Sequence, residues 1–278
     1  MAYDVRRAGA LNYMPCRYGN SRVLFRGPQR RLDAPYVSFI GGTETYGKFI
    51  NAPFPALVES GLGINCINFG IANAGVDVIL NESFLLEAAN GSRATVLQVI
   101  GAHNLSNRLY SVHPRRNDRF VRASPLLCSI YPEVDFSEFH FTKHMLSFLN
   151  ETSPQRFEVV RHEVQEAWTA RMKLIIQRIY RPVVLVWFAD RLPSDEMGME
   201  LSQRRFADPL FVTRSMVHAV NEQTAGYVEV AASPTALAAG TQGMYHDPLD
   251  EMAARSLLGP KAHGEVAVHL GKVLHTLI

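Results

Sequence analysis

The sequence has few charged residues and little net charge. Only 19% of its 278 residues are Asp, Glu, Lys or Arg, and the formal net charge is +2. This balance argues against a polyanionic partner such as nucleic acid. Lysine is scarce, with five among the 28 basic residues. The excess of arginine fits either genomic base composition or the bidentate recognition of an anion.

Cysteines and long apolar runs are also few. Cys16, Cys66 and Cys128 are odd in number and widely spaced, with no CxxC pair, which excludes a dense disulfide framework and the usual zinc motifs. No apolar run reaches the length of a membrane span, and the first residues lack the apolar core of a signal peptide. The sequence therefore predicts a cytoplasmic protein with reduced thiols and no membrane partner.

Short apolar segments alternate with helical patterns along most of the chain. Tyr36–Ile40 has the pattern of a buried strand and stops at Gly41-Gly42, where two glycines permit a tight turn. The alternation predicts an α/β fold, a flavodoxin-like three-layer α/β/α sandwich with a five-stranded parallel sheet in the order 2-1-3-4-5. The five predicted strands are Val37–Ile40, Ile64–Phe69, Thr95–Ile100, Pro182–Phe188 and Tyr227–Ala231.

Long insertions follow two of these strands. Roughly 80 residues separate the third strand from the fourth, far more than a crossover requires. We predict one domain, residues 36–278, with lid insertions at 105–180 and 189–225 that begin where ligands bind in such sheets. Residues 1–35 are rich in arginine and aromatic residues. We interpret them as an arm that packs on the domain, because the low net charge disfavours the alternative of single-stranded nucleic-acid binding.

Three loops that follow strands carry related motifs. They are Gly41-Gly42-Thr43, Asn68-Phe69-Gly70 with Gly75, and Gly101–Asn104. Here the chain resembles the SGNH (GDSL-like) hydrolases, whose strands end in Gly-Asp-Ser, Asn-x-Gly and Gly-x-Asn. The resemblance covers residues 36–104 well and the C-terminus loosely. It implies an SGNH-like fold and a hydrolase or acyltransferase acting on a small ester or a sugar-linked acyl group. The chain also resembles a family of alphaproteobacterial proteins of unknown function.

The resemblance implies roles for individual residues. Thr43 takes the place of the nucleophilic serine, and Gly42 that of the aspartate before it. Gly75, or Asn73 if the loop is aligned without an insertion, takes the place of the oxyanion-hole glycine. Asn104 takes the place of the oxyanion-hole asparagine, although an ungapped alignment puts His103 there. A threonine hydroxyl is chemically like that of serine, but its β-methyl group stiffens χ1 and crowds the attack.

The catalytic histidine and aspartate of that family are missing from their expected places. When His263 is matched to the second, non-catalytic histidine of the last block, Leu257 stands at the catalytic histidine and Ala254 at its aspartate. Neither side chain can transfer a proton. We therefore predict that His246, from the loop before the last helix, is the base that activates Thr43.

The alternative is a catalytically silent protein that keeps the cleft for an anionic or saccharide ligand. Either function implies a small-molecule partner, and neither fixes the oligomeric state. Arginines in the first insertion suit a carboxylate, phosphate or sulfate held over Thr43, or they pair with acidic neighbours on a solvated loop. The predicted ligand-binding residues are Gly42, Glu44, Asn73, His103, His113, Arg115, Arg116 and Arg119.

Two further patterns concern nucleotides and metals. Gly42–Lys48 fits the GxxxxGK phosphate-loop pattern, but Phe49 stands where the magnesium-binding Ser or Thr belongs. His140 and His144 would share one face of a helix, yet no third fixed ligand is evident. We therefore predict neither a metal site nor a bound cofactor.

Overall fold

A computed structural model describes residues 11–195 and 208–278 of the protein. Its strands in chain order are β1 Tyr36–Gly41, β2 Asn65–Gly70, β3 Ala94–Gln98, β4 Tyr110–His113, β5 Arg116–Ala123, β6 Val183–Ala189 and β7 Gly226–Ala231. Five of them form one parallel sheet in the order β2-β1-β3-β6-β7. The predicted fold class and strand order are confirmed, with β1 inside the sheet.

Helices cover both faces of the sheet. Successive side chains of a strand point to opposite faces, so Val37 and Phe39 pack on one side of β1, and Tyr36 and Ile40 pack on the other. The α-helices of the described residues are α1 Thr43–Tyr46, α2 Phe54–Leu62, α3 Val76–Asn81, α4 Ser83–Gly91, α5 Pro125–Ile130, α6 Thr142–Thr152, α7 Pro154–Gln177, α8 Arg214–Asn221, α9 Pro234–Ala238, α10 Glu251–Arg255 and α11 Pro260–Leu277.

The two helical layers bury nearly all of the sheet. The helices α2 and α11 pack against Val37 and Phe39, whereas α3, α4 and α7 lie in the opposite layer. Every residue of β6 is buried. Parallel strands that are covered on both faces read as continuous apolar runs, and this explains why the strands could be located in the sequence.

The insertion after β3 combines a hairpin with three helices. The strands β4 and β5 pair antiparallel, with an irregular register between Ser111 and His113. The long helix α7 anchors the insertion, because its Trp168 is fully buried and donates a hydrogen bond from Nε1 to the carbonyl of Ile100 at 2.8 Å. Since Ile100 follows β3, this contact holds the insertion beside the carboxyl end of the sheet.

Residues 11–35 lie against the domain. Phe25 is fully buried, with its ring centroid 5.2 Å from that of Phe69 on β2. Arg26 is also buried, and its guanidinium donates hydrogen bonds to four main-chain carbonyls at the end of α1 and in the loop after it. The arm therefore fixes the loop that follows α1. The four carbonyls belong to Tyr46, Gly47, Ile50 and Asn51.

Two predicted segments are only partly covered by the structure. Residues 1–10 of the predicted arm and residues 196–207 of the second predicted insertion lie outside the described residues. Among the helices that are described, none is both long and apolar enough to cross a membrane. All three cysteines are free thiols.

Candidate functional site

A cavity of about 320 Å³ opens at the carboxyl end of the sheet. This is the edge at which open α/β sheets bind their ligands, and the volume suits a small molecule. The walls come from the loops after β1, β2, β3 and β6, from the hairpin, and from the start of α6. The polar lining residues are Thr43, Glu44, Asn73, Gln98, His103, Asn104, Asp118, Thr142, Lys143, Asp190, Asp208 and Ser256.

Gln98, the last residue of β3, holds the turn after β1 in place. Its Oε1 accepts hydrogen bonds from the N–H of Gly42 at 3.0 Å, the N–H of Thr45 at 3.2 Å and the hydroxyl of Thr45 at 2.5 Å. A side chain at Gly41 would collide with both Gln98 and Thr45. The glycine is therefore required for close approach, and the buried amide rather than the turn alone positions α1.

Thr43 lies at the start of α1 with its side chain in the cavity. Its hydroxyl accepts a hydrogen bond from the N–H of Asn73 at 2.9 Å and lies 3.5 Å from Oδ1 of the same residue. Among the described residues, no histidine and no carboxylate lies within hydrogen-bonding distance of this hydroxyl. Thr43 and Asn73 are thus brought together as the ungapped alignment implies, but the hydroxyl has no base beside it.

Asn104 presents its amide to the same cavity. The Oδ1 atom lies 2.5 Å from the hydroxyl of Thr142, a separation that fits an O–H donor better than an N–H donor. The oxygen is therefore the acceptor in this contact, and Nδ2 remains with no acceptor in the described part of the chain. Because the N–H of Thr43, at the start of a helix, also lacks an intrahelical acceptor, two donors of the predicted oxyanion hole remain available.

Gly75 does not serve as the third donor. Its N–H donates to Oδ1 of Asn117 at 3.0 Å, and the residue is not part of the cavity wall. A β-carbon at this position would lie 1.5 Å from the carbonyl oxygen of Asn104. Gly75 was predicted to be the oxyanion-hole glycine, but the structure gives it another role: the glycine lets the loop after β2 pass close to Asn104 and so positions that residue.

The predicted base, His246, lies outside the cavity. Its Nε2 is 3.3 Å from a carboxylate oxygen of Glu251, its Nδ1 is 3.0 Å from the carbonyl of Asp247, and its ring packs edge-on against Phe49. The cavity wall that the last loop supplies is made by residues 256–258, with Leu257 among them. An apolar side chain therefore stands where the resemblance places the catalytic histidine, and the assignment of His246 as base is not supported by this geometry.

His103 is the histidine that does line the cavity. It is 6% exposed, and its Nδ1 has no hydrogen-bond partner. The nearest carboxylate oxygen, Oδ1 of Asp208, lies 3.7 Å away, which is too far for a hydrogen bond. Burial is the main reason that the pKa of His103 is lowered, so the ring is neutral at pH 7.

Glu44 carries the most perturbed carboxyl group of the cavity. Burial and, next, the negative charge of Asp208 raise its pKa to about 7. A hydrogen bond from Nε2 of Gln98, at 3.3 Å, opposes this rise. A carboxyl group that titrates near neutral pH inside a cavity is typical of a functional site, and Glu44 follows Thr43 directly in the sequence.

The predicted arginine clamp does not form over Thr43. Arg115 and Arg116 are exposed at the tip of the hairpin, where His113 accepts hydrogen bonds from their main-chain N–H groups. The guanidinium of Arg119 stacks on the ring of Phe141 at 4.1 Å. None of these four predicted ligand-binding residues lines the cavity. The hairpin turns its polar side outward because Val112 and Phe120 pack into the core.

The cavity is acidic instead. The carboxylates of Glu44, Asp118, Asp190 and Asp208 line it, and Lys143 is the one lysine or arginine among the described lining residues. In the described ranges, no three His, Cys, Asp or Glu side chains are arranged to hold a metal ion. The sequence did not indicate this acidity, because Asp118 lies among arginines and because Asp190 and Asp208 both lie within the second predicted insertion.

A family model matches residues 1–278 over the full length of the chain, and its description is a domain of unknown function, DUF6473. The chain belongs to the DUF6473 family. No curated protein matches it. Among solved structures, a lipase from a goat rumen metagenome, Lip_vut3, aligns with a TM-score of 0.43 and 11% identity, over 86% of this chain and 97% of that one.

The site of this DUF6473 protein thus combines two sets of groups. Thr43, Asn73 and Asn104 line the cavity, and the hydroxyl of Thr43 accepts a hydrogen bond from the N–H of Asn73. Glu44, His103 and Asp208 also line it, with Nδ1 of His103 3.7 Å from Oδ1 of Asp208. The first set can donate hydrogen bonds to a ligand oxygen, and the second set can accept them.

Proposed function

We propose that this DUF6473 protein binds a small, hydroxyl-rich ligand of saccharide type in the cavity and does not carry out acyl transfer through a threonine–histidine pair. The observation that carries the proposal is the combination of Leu257 in the cavity wall with a Thr43 hydroxyl that, among the described residues, is hydrogen-bonded to Asn73 and to no histidine or carboxylate. A threonine hydroxyl is a weak nucleophile unless a base takes its proton.

The chemistry of the lining supports a polyhydroxylated ligand. Hydroxyl groups both donate and accept hydrogen bonds, and the cavity offers carboxylates as acceptors and Asn104 and Lys143 as donors. The rings of Phe141 and Phe188 supply apolar surface. An anionic ligand is disfavoured, since four carboxylates line a cavity that has one lysine and lacks the predicted arginines.

Hydrolysis of a small acyl ester is the second candidate. It is favoured by Glu44, because a carboxyl group with a pKa raised to about 7 is suited to accept a proton at neutral pH. Thr43 and Asn104 line the same cavity and would serve as nucleophile and oxyanion donor. This reaction would need Glu44 to replace the histidine of the SGNH hydrolases.

Isothermal titration of the full chain with a panel of monosaccharides and polyols tests the binding proposal. At least one sugar should bind. Asn104→Ala should weaken its binding by about tenfold, because the cavity loses the amide of Asn104 as an uncharged hydrogen-bond donor. The matched control is Asn20→Ala, since Asn20 is exposed and lies outside the cavity. A panel without any binding, or equal affinity of Asn104→Ala and the unmodified protein, would reject the proposal.

A further inference from the structure

We propose that the ligand of this cavity carries an organic ammonium group, held between the carboxylates of Glu44 and Asp208 and the Nδ1 atom of His103. The inference rests on the proposed binding function and narrows its ligand to amines, such as amino sugars. It starts from three acceptor groups that line the cavity, the carboxyl groups of Glu44 and Asp208 and the Nδ1 atom of His103.

The unpaired nitrogen of His103 is the first observation. The side chain is more than nine-tenths buried, it lines the cavity, and Nδ1 has no hydrogen-bond partner. Buried polar atoms nearly always have a partner, so one without a partner indicates a missing group. The ring is neutral, because burial lowers its pKa. With the ring proton on Nε2, Nδ1 is an acceptor and requires a donor.

The distance between His103 and Asp208 is the second observation. Nδ1 and Oδ1 are 3.7 Å apart, which is too far for a direct bond but leaves room for one donor nitrogen in contact with both atoms. Gly101 forms the floor under this gap. A β-carbon at Gly101 would lie 2.7 Å from Nδ1 of His103 and 2.8 Å from Oδ1 of Asp208. The glycine therefore keeps the space between the two acceptors open.

Glu44 is the third acceptor, and its carboxylate adds a second negative charge to that of Asp208. Burial and, after it, the negative charge of Asp208 raise the pKa of Glu44 to about 7. A cation placed between the two carboxylates would relieve this repulsion. A primary ammonium has three donors and no acceptor, which matches two carboxylates and one unprotonated ring nitrogen.

Two basic side chains lie near these acceptors, Lys143 and Arg191. Lys143 is exposed, and its charge acts with burial to lower the pKa of His103. The guanidinium of Arg191 lies 3.2 Å from a carboxylate oxygen of Asp190, and it donates to the main-chain carbonyls of Asp208 and Pro209, each at 3.4 Å. A metal ion does not suit the three groups, because within the described ranges no such set of side chains has the arrangement of a metal site. An ammonium group contacts its acceptors at longer distances than a metal ion contacts its ligands, so it can bridge the 3.7 Å between Nδ1 of His103 and Oδ1 of Asp208.

The experiment compares monosaccharides with their 2-amino and 6-amino derivatives by isothermal titration, at about pH 8, where Glu44 is ionised. We expect an amino sugar to bind at least about tenfold more tightly than its parent sugar. Glu44→Gln and Asp208→Asn should each weaken the binding of the amino sugar more than that of the parent sugar, so that the preference of about tenfold is lost. Glu87→Gln is the matched control, because Glu87 is exposed on α4 and away from the cavity.

Gly101→Ala provides a second variant that changes no charge. Its methyl group should weaken amino-sugar binding more than sugar binding, with the fold checked by circular dichroism. Equal affinity for sugars and amino sugars would overturn the ammonium inference and leave the proposed binding function standing. If neither class binds, the proposed function itself fails, and the inference fails with it.

Discussion

The hydroxyl of Thr142 lies 2.5 Å from Oδ1 of Asn104, so the first residue of α6 fixes the amide of a residue after β3. Both residues are buried, and both line the cavity. The insertion therefore does more than cover the site: it orients one of the donors in its wall. This contact leads to the first prediction.

Thr142→Val should release the amide of Asn104 while nearly keeping the side-chain volume. We expect a loss of about 1–3 kcal/mol in the free energy of unfolding, because a buried acceptor loses its donor, together with a weaker affinity for the cavity ligand. Urea unfolding and isothermal titration measure the two effects. Thr152→Val is the control, since the hydroxyl of Thr152 bonds to Phe148 on an exposed part of the same helix. Unchanged ligand affinity in Thr142→Val would show that Asn104 is not positioned in this way.

Gln98→Leu should displace the turn after β1. The variant leaves the N–H groups of Gly42 and Thr45 and the hydroxyl of Thr45 without their acceptor, and each buried unpaired group costs about 1–3 kcal/mol. We expect the free energy of unfolding to fall by several times the effect of Gln177→Leu. Gln177 is a suitable control because its amide makes one long, exposed hydrogen bond. Similar destabilisation by both variants would contradict the role assigned to Gln98.

The raised pKa of Glu44 predicts that stability decreases as the pH rises. Between its unfolded pKa of 4.5 and its folded pKa of about 7, the native carboxyl group keeps a proton that the unfolded chain has released. The native state therefore binds more protons in this window, and the free energy of unfolding falls with pH by about 1–3 kcal/mol. Glu44→Gln should remove this part of the slope, as measured by urea unfolding from pH 4.5 to 8. Parallel profiles for the two proteins would argue against the shift.

His263 predicts a dependence of the opposite sign. It is 1% exposed, its Nδ1 accepts a hydrogen bond from the N–H of Phe54 at 3.1 Å, and burial lowers its pKa to about 3. The unfolded chain binds a proton below pH 6.5 that the native state does not bind until about pH 3. Stability is therefore lost as the pH falls through this range, by about 3–5 kcal/mol.

His263→Asn isolates this contribution. The amide oxygen of asparagine can accept the same hydrogen bond from Phe54 and does not titrate. The variant should be less stable at pH 7, because the smaller side chain leaves space between Phe54 and Phe188. Its free energy of unfolding should nevertheless depend less on pH between 6.5 and 4 than that of the unmodified protein. An equal dependence would mean that His263 is not buried in the neutral form.

The sheet could be predicted from the sequence because its strands are apolar at almost every position. A segment such as Val183–Ala189 reads as a buried parallel strand without any knowledge of its neighbours. The hairpin could not be found in this way. The second of its strands, Arg116–Ala123, is mostly polar, and the buried Asn117 and Phe120 do not follow a simple alternation with exposed residues.

The site was predictable where it depends on loops that follow strands. Thr43, Asn73, His103 and Asn104 line the cavity because the carboxyl ends of adjacent parallel strands meet at one edge. The position of His246 outside the cavity could not be predicted, since distance along the chain does not determine whether a loop residue reaches the cavity. The role of Gln98 was missed, because a single polar residue at the end of an apolar segment resembles the ordinary end of a strand.

Hydrolysis of short acyl esters by the unmodified protein and by Thr43→Ala, measured side by side, tests the central claim most directly. The claim is that this cavity binds its ligand and lacks a base for Thr43. Leu257 occupies the place in the wall where the base of the SGNH hydrolases would stand. The account predicts equal rates for the two proteins, at the level of the buffer alone, from pH 6 to 9. A rate that is lost in Thr43→Ala and that rises with ionisation of Glu44 near pH 7 would contradict it and establish acyl hydrolysis instead.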